Sequence, residues 1–188
     1  MSEVILFPIE FQQKRQRLLE LLLESVVRYD DGSIQIKSDM VILSAEGSGL
    51  ISQILAHMID QLKVPVIIAA GDETAFPIIG SLLTLAFHSH MTNLKGGTLL
   101  LMREKGVRAD ADDNVLIITD EVRVQTLSNV GHLKNVRNCN VLGVIAVIAH
   151  QSENEKRYLQ QSGVNLTALF TLTELRTGVL DESRFLFA

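Results

Sequence analysis

Apolar residues in this chain fall into short, nearly continuous runs that alternate with longer segments of helical periodicity. The short runs predict buried strands, and the periodic segments predict amphipathic helices. The strands are predicted at 65–70, 98–102, 115–118, 141–148 and 166–172. The helices are predicted at 10–28, 47–62, 76–87, 125–136 and 152–161. Two shorter strands are predicted at 34–36 and 40–43, after a break at Asp30-Asp31-Gly32.

Strands that are apolar on both faces and alternate with helices indicate an α/β fold with a mainly parallel, twisted sheet and helices on both faces. We predict one domain over residues 1–188, with an N-terminal helix and a small hairpin hood (1–43), a core (44–175) and a tail (176–188). Ligands of open α/β sheets bind at the carboxyl ends of the strands. The candidate binding loops are therefore 70–77, 103–114 and 119–129.

Two glycine-containing segments are predicted as turns. The segment 45–49 (AEGSG) lacks the longer spacing of a nucleotide-binding loop and is predicted as a strand-to-helix turn. The segment 95–97 (KGG) is predicted as a turn before the next strand. The pair His88 and His90 is interpreted as an exposed helix end, because a zinc site needs at least one further ligand.

Composition excludes several classes of protein. The chain is 47% hydrophobic and 21% charged, which is typical of a globular domain. Its net charge of −5 argues against a nucleic-acid or anionic-membrane partner, and its only cysteine, Cys139, excludes an intrachain disulfide or a cysteine metal cluster. No apolar run approaches the roughly 18 residues that span a membrane. The N-terminal segment also lacks the features of a signal peptide, so we predict a cytoplasmic protein.

The acid pair Asp120-Glu121 follows the strand at 115–118 and precedes the helix at 125–136. Adjacent carboxylates can accept hydrogen bonds from two vicinal sugar hydroxyls or hold Mg²⁺, directly or through water. The free N–H groups at the start of a following helix can bind a phosphate. The pattern predicts a sugar-phosphate site. The alternative is structural: the acids cap the helix or pair with Arg123.

The sequence VLIITDEVRVQTLS (115–128) resembles the phosphoribosyl-pyrophosphate signature of the type I phosphoribosyltransferases, and the similarity is closest to the orotate phosphoribosyltransferases. It extends in colinear order over 29–175. YDDGSIQIKS resembles the family's early hairpin, VPVIIAAGDETAFPIIG its pyrophosphate loop, and TLLLMREKG its catalytic strand. Residues 141–175 resemble its closing strand, helix and strand.

The chain departs from the family at three places. Positions 124–128 contain no glycine, although the family's 5′-phosphate loop uses glycine to bring the backbone close to the phosphate. Thr74 stands where the pyrophosphate loop normally has a lysine. The catalytic loop after Arg103 is short and has no histidine before Asn114.

The resemblance implies a homodimer that transfers ribose 5-phosphate from phosphoribosyl pyrophosphate to a nitrogenous base such as orotate, with Mg²⁺ if it is active. It implies four catalytic residues, of which the two acids would hold the ribose hydroxyls and the metal: Arg103, Lys105, Asp120 and Glu121. The implied ligand-binding residues are Lys37, Thr74, Arg123, Gln125, Thr126 and Ser128.

Three functions are consistent with these residues. The departures favour a protein that binds phosphoribosyl pyrophosphate or a pyrimidine nucleotide and has weak or altered transfer activity. The alternative is a non-catalytic, nucleotide-sensing or regulatory homologue. A purely structural interaction protein is disfavoured by the retained acid pair.

Overall fold

The computed structural model describes residues 9–28, 30, 34–62, 64–89, 94–100, 109–149 and 153–178. The strands in these ranges are β1 (Val26–Arg28), β2 (Ile34–Ile36), β3 (Val66–Ala70), β4 (Leu94–Leu100), β5 (Asn114–Thr119), β6 (Asn140–Ala149) and β7 (Asn165–Thr171). The helices are α1 (Ile9–Glu24), α2 (Ser38–Leu43), α3 (Ala45–Asp60), α4 (Phe76–Ser89), α5 (Val124–Asn135), α6 (Glu153–Gln161) and α7 (Leu172–Thr177). A 3₁₀ turn, Glu73–Ala75, lies between β3 and α4.

Five strands form one sheet in the order β4-β3-β5-β6-β7, and every neighbouring pair is parallel. The chain builds outward from β3 in both directions, so the carboxyl ends of β3 and β5 form a switch point, where ligands of such sheets bind. β1 and β2 form a separate antiparallel hairpin. The predicted α/β class is confirmed. A hood hairpin is present, but its strands are β1 and β2, and not the pair predicted at 34–36 and 40–43.

Successive side chains of the central strands pack into two separate hydrophobic cores, one on each face of the sheet. Ile68 of β3 and Ile118 of β5 point to the core that α1, α3 and α4 cover, whereas Ile67 and Ile117 point to the core that α5 and α6 cover. Because successive strand residues face opposite sides, a sheet covered on both faces needs apolar residues at every position. This explains the continuous runs. No helix in the described part of the chain is long and apolar enough to cross a bilayer.

The N-terminal helix packs into the first core. Its leucines at positions 18, 19 and 22 are fully buried. Arg15 of α1 is also buried, and its guanidinium donates to the Leu169 carbonyl at 3.0 Å and to the Glu174 carboxylate at 2.5 Å. The helix therefore belongs to the core of its own chain, and an ion pair joins it to the last helix, α7.

Several predicted elements are wrong in type or extent. The predicted helix 10–28 ends at Glu24, because its last residues form β1 and pair with β2. The predicted strand 40–43 is part of helix α2, where Val41 and Ile42 are buried and Leu43 is exposed, which is a one-sided helical pattern. In a run of only four residues, this pattern cannot be distinguished from a strand.

The two predicted turns are also wrong. Residues 45–49 form the first turns of α3, whose N-cap Ser44 accepts a hydrogen bond from the Gly47 N–H at 2.9 Å. Gly47 is required by close packing, since an added Cβ would lie 2.1 Å from the Val41 carbonyl oxygen. Residues 95–97 lie within β4, where the pairing with β3 shifts register. Glycine in a strand commonly marks such an irregularity.

Candidate functional site

The candidate site is a cleft at the carboxyl ends of β3 and β5. Its volume is about 780 Å³. The hood hairpin and α2 form one wall, the loops after β3 and β5 form the floor, and α7 closes the far side. The lining residues with polar side chains are Gln35, Lys37, Ser38, Asp39, Thr74, Asp120, Glu121, Arg123 and Arg176.

Local hydrogen bonds fix the loop after β5. The Thr119 hydroxyl donates to the Glu121 carbonyl at 2.7 Å, and the Ile148 N–H donates to the Asp120 carbonyl at 2.8 Å. These bonds hold the backbone of the acid pair against β6. The Asp120 side chain consequently points inward and is 1% exposed, whereas Glu121 is partly exposed to the cleft.

The loop after β3 approaches the acid pair because of Gly71. The Gly71 N–H donates to the Ile118 carbonyl at 2.7 Å, and a Cβ at this position would lie 2.7 Å from the Cβ of Thr119. Asn129 of α5 is buried and donates to the carbonyls of Ala70 and Gly71 at 3.2 and 3.0 Å. Gly71 and Asn129 together place Asp72 beside Asp120.

Arg123 lies at the centre of three carboxylates. One guanidinium nitrogen donates to Asp120 at 2.8 Å and lies 3.9 Å from Glu121, and another donates to Asp72 at 3.3 Å. The side chain is 46% exposed, so its outer edge faces the cleft. Of the two functions that the sequence left open for the acids, the pairing with Arg123 is therefore present.

Burial raises the pKa of the Asp120 carboxyl above its ordinary value of 3.8. The nearby Asp72 carboxylate adds to this rise, whereas the Thr74 hydroxyl, the Glu121 N–H and Arg123 oppose it. Removing a carboxylate from water disfavours its charged form, and here burial outweighs the neighbouring cation.

Asp120 and Asp72 are poorly arranged for direct coordination of the Mg²⁺ ion that the resemblance implies, and a metal held through a ligand or water stays a prediction. Both oxygens of Asp120 already accept hydrogen bonds, from the Glu121 N–H at 2.7 Å and from Arg123 at 2.8 Å. Both oxygens of Asp72 are similarly used, by Thr74 and by Arg123. Mg²⁺ requires near-octahedral oxygen ligands and would lie beside a guanidinium of like charge. No group of three or more His, Cys, Asp or Glu in the described ranges is arranged to hold a metal.

The structure brings five of the predicted site residues to one cleft: Lys37, Thr74, Asp120, Glu121 and Arg123. The other three described ones lie on α5 and do not line it. Thr126 is buried and accepts a hydrogen bond from the Arg123 N–H at 3.3 Å, Gln125 donates to Asn129 at 3.1 Å, and Ser128 is exposed. Arg103 and Lys105 lie outside the described residues. The ligand-binding and catalytic assignments stay predictions.

Sequence reasoning missed three residues of the site: Asp72, Asn129 and Arg176. A usable signal existed for Arg176, because the sequence from Thr171 to Glu174 is a capping box. Both of its hydrogen bonds are present, so α7 begins after Thr171 and carries Arg176 to the cleft. Asn129 gave only a weak signal, as a residue that is unfavourable within a helix.

The parallel sheet with its switch point and the separate hood hairpin define a type I phosphoribosyltransferase fold. Solved structures of that class are similar to this chain over nearly its whole length. The orotate phosphoribosyltransferase of Mycobacterium tuberculosis H37Rv in complex with inorganic phosphate has a TM-score of 0.63 and 16% identity, over 91% of this chain and 98% of that one. The same enzyme in complex with 5-phospho-α-D-ribosyl 1-diphosphate has a TM-score of 0.63 and 18% identity, over 87% and 99%.

A phosphoribosyltransferase from Corynebacterium diphtheriae has a TM-score of 0.63 and 18% identity, over 87% of this chain and 99% of that one. No protein-family model and no curated protein matches the sequence. At these identities the similarity establishes the fold, which the sequence resemblance had implied.

Proposed function

We propose that the cleft binds a ribose-phosphate ligand, either phosphoribosyl pyrophosphate or a pyrimidine nucleotide, and that pentosyl transfer from it is weak or altered. One observation carries this proposal: an acid pair and the basic side chains of Lys37, Arg123 and Arg176 line a single cleft at the switch point. Carboxylates accept hydrogen bonds from sugar hydroxyls, and exposed cations bind phosphate.

The acidic and the basic residues of the cleft suit different parts of such a ligand. Glu121 is partly exposed and can accept hydrogen bonds from the ribose, whereas the buried Asp120 acts mainly by holding Arg123. Lys37 and Arg176 form no ion pair with other described residues, so their charges are available to a phosphate.

A specific observation favours the alternative, a non-catalytic nucleotide sensor. Residues 124–128 lie where the resemblance places a 5′-phosphate loop, and they form the first turns of α5. Val124 is 77% exposed there, and no glycine-rich cradle is present in these positions. A ligand can be held by such a site without the contacts that stabilise a departing pyrophosphate.

Calorimetric titration with phosphoribosyl pyrophosphate, orotate and uridine monophosphate tests the proposal. We expect saturable binding of at least one phosphate-bearing ligand. The double variant Asp120→Asn with Glu121→Gln should weaken it by about tenfold or more, the loss expected for hydrogen bonds to charged groups. The control is Glu153→Gln with Glu155→Gln, two acids of α6 away from the cleft.

Unchanged affinity in the cleft variant, or no binding by the wild type, would reject the site.

The homodimer is a further proposal, and sedimentation velocity at micromolar concentration tests it. The apolar face of α1 does not support it, since that face is buried within the chain. The cytoplasmic location stays a prediction.

A further inference from the structure

The position of Arg123 within the acid cluster has a chemical consequence. The cluster consists of Asp72, Asp120 and Glu121, which come from two loops. A single guanidinium contacts all three, at 3.3, 2.8 and 3.9 Å. The planar fork of arginine suits this arrangement because its nitrogens can donate to several carboxylates at once.

The backbone of Arg123 is held at the start of α5. Arg123 is the last residue before α5, and its N–H is held by the Thr126 hydroxyl at 3.3 Å. Asn129, one turn further along α5, holds the loop that carries Asp72. The same helix therefore positions the backbone of Arg123 and the loop that carries Asp72.

The charges around the cleft leave no excess of cations, because Asp72 adds a further carboxylate behind Arg123. Three basic and three acidic side chains line it: Lys37, Arg123, Arg176, Asp39, Asp120 and Glu121. A pyrophosphate brings several negative charges, which a bound metal normally offsets. Here no lining cation is in excess, so a ligand with a single phosphate group is favoured.

We propose that Arg123 takes the place of a divalent cation in this cleft, so that ligand binding requires no metal and selects a nucleoside monophosphate over a diphosphate ester. The guanidinium holds the acid cluster together on its inner side and donates to the ligand from its exposed edge. The choice of ligand rests on the proposed function, whereas the exclusion of metal does not.

Titration with Mn²⁺ alone, as a probe for Mg²⁺, tests the exclusion of metal without any nucleotide. We expect no saturable binding to the wild type up to about 1 mM, a range that covers weak protein cation sites. Arg123→Gln keeps an amide donor near Asp120 but removes the charge. This variant should bind Mn²⁺ at least about tenfold more tightly than the wild type, because the like charge has gone.

Two further variants locate any gained binding. Adding Glu121→Gln to Arg123→Gln should abolish it. Arg17→Gln is the matched control, because Arg17 also pairs with two acids, Glu46 at 2.8 Å and Glu20 at 3.2 Å, but on an exposed surface. It should gain no Mn²⁺ binding. Sub-millimolar Mn²⁺ binding by the wild type would overturn the proposal, as would a folded Arg123→Gln protein that binds none.

The nucleotide titrations use only the wild-type protein, so their result does not depend on the folding of any variant. Affinity for uridine monophosphate should change by less than about twofold between EDTA and excess Mg²⁺, and phosphoribosyl pyrophosphate should bind at least about tenfold more weakly than the monophosphate. Affinity that depends on Mg²⁺ contradicts metal-free binding. Absence of all nucleotide binding rejects the proposed function instead, and leaves the Mn²⁺ result to decide on the acid cluster.

Discussion

At the scale of single residues, three buried charged side chains are each held by a specific partner. Arg15 and Glu174 are each 3% exposed and form an ion pair between the first and last described helices. Asp120 is buried against Arg123 below the cleft. Buried charges are costly unless paired and hydrogen-bonded, so each of these residues depends on a specific partner.

The raised pKa of Asp120 predicts a pH dependence of stability. The folded protein holds this proton more tightly than the unfolded chain does, so the contribution of Asp120 is most favourable below the ordinary pKa of 3.8 and is lost as pH rises through the raised folded-state pKa. The unfolding free energy of the wild type, relative to Asp120→Asn, should therefore fall as pH increases from about 4 towards neutrality.

Urea denaturation across that range measures this difference. Asp39→Asn, at an exposed position on α2, is the matched control. A difference between wild type and Asp120→Asn that increases with pH would contradict the assigned direction.

The Arg15–Glu174 pair predicts a large loss of stability when one partner alone is removed. Glu174→Leu should lower the unfolding free energy by about 3–5 kcal/mol, because it leaves the Arg15 charge buried without its partner. Glu174 also accepts hydrogen bonds from the Thr171 N–H and hydroxyl at 2.7 and 2.9 Å, so two bonds at the start of α7 are lost as well.

The double variant Arg15→Met with Glu174→Leu separates these effects. It should recover part of the loss, since no buried charge remains. Arg17→Met, at an exposed ion pair on the same helix, should leave the urea midpoint almost unchanged. A double variant less stable than Glu174→Leu alone would contradict this assignment.

At the scale of elements, the site depends on how closely two loops approach. β3 and β5 are neighbours, and Gly71 allows the loop after β3 to lie against Thr119. This contact sets the distance between Asp72 and the acid pair, and hence the position of Arg123. The strand order thus determines which loops meet, and one small residue determines how closely.

Gly71→Ala tests this role. The added methyl should cost about 1–3 kcal/mol of stability by overpacking and should weaken ligand binding in the cleft, because the loop with Asp72 must move. Gly80→Ala on α4 is the matched control: a Cβ there meets nothing within 4 Å, and stability should rise by up to about 1 kcal/mol. Equal effects from the two substitutions would show that close approach at Gly71 is unimportant.

The buried elements could be predicted from the sequence because their signal is local and long. The runs that became β3, β5 and β6 contain no charged or polar side chain, and the bounds of these three strands were predicted to within two residues. The short helices could not be predicted, because their signal is too short. α2 and α7 have six residues each, too few for periodicity to appear. α2 therefore forms through tertiary packing, and α7 through packing and its capping box.

The site could be predicted only in part, for a related reason. Asp120 and Glu121 were identifiable because two adjacent acids at a strand end form a local pattern. Asp72 and Arg123 are 51 positions apart, and their contact follows from the strand order β3-β5. Sequence patterns give no direct information on such long-range pairs, so the filling of the acid cluster by arginine became evident only in three dimensions.

At the scale of the whole molecule, the cleft combines parts from the entire chain. Lys37 comes from the hood, Thr74 and Asp120 from the centre of the sheet, and Arg176 from α7. A fold of this class supports many chemistries, and function depends on the side chains that the loops present. Here the acidic and basic side chains that line the cleft are equal in number, and some of them form ion pairs with one another.

This balance predicts weak catalysis of the whole reaction. We expect little or no turnover with phosphoribosyl pyrophosphate and orotate, because loss of a single well-placed charge stabiliser can lower the rate by about 10²–10³-fold. A spectrophotometric assay of orotate consumption, with an active orotate phosphoribosyltransferase as positive control, measures it. A catalytic efficiency of about 10⁴ M⁻¹s⁻¹ or more, the usual enzymatic range, would show that the chain is a competent enzyme.

The ion pair between Arg15 and Glu174 also bears on how the protein is made. Its partners are 159 positions apart, so α1 leaves the ribosome long before the residue that neutralises its buried charge. At a synthesis rate of about 5–20 residues per second, the delay is roughly 8–30 s. During that interval Arg15 has neither the Leu169 carbonyl nor the Glu174 carboxylate as a hydrogen-bond acceptor. We therefore expect α1 to dock fully only after α7 has been synthesised.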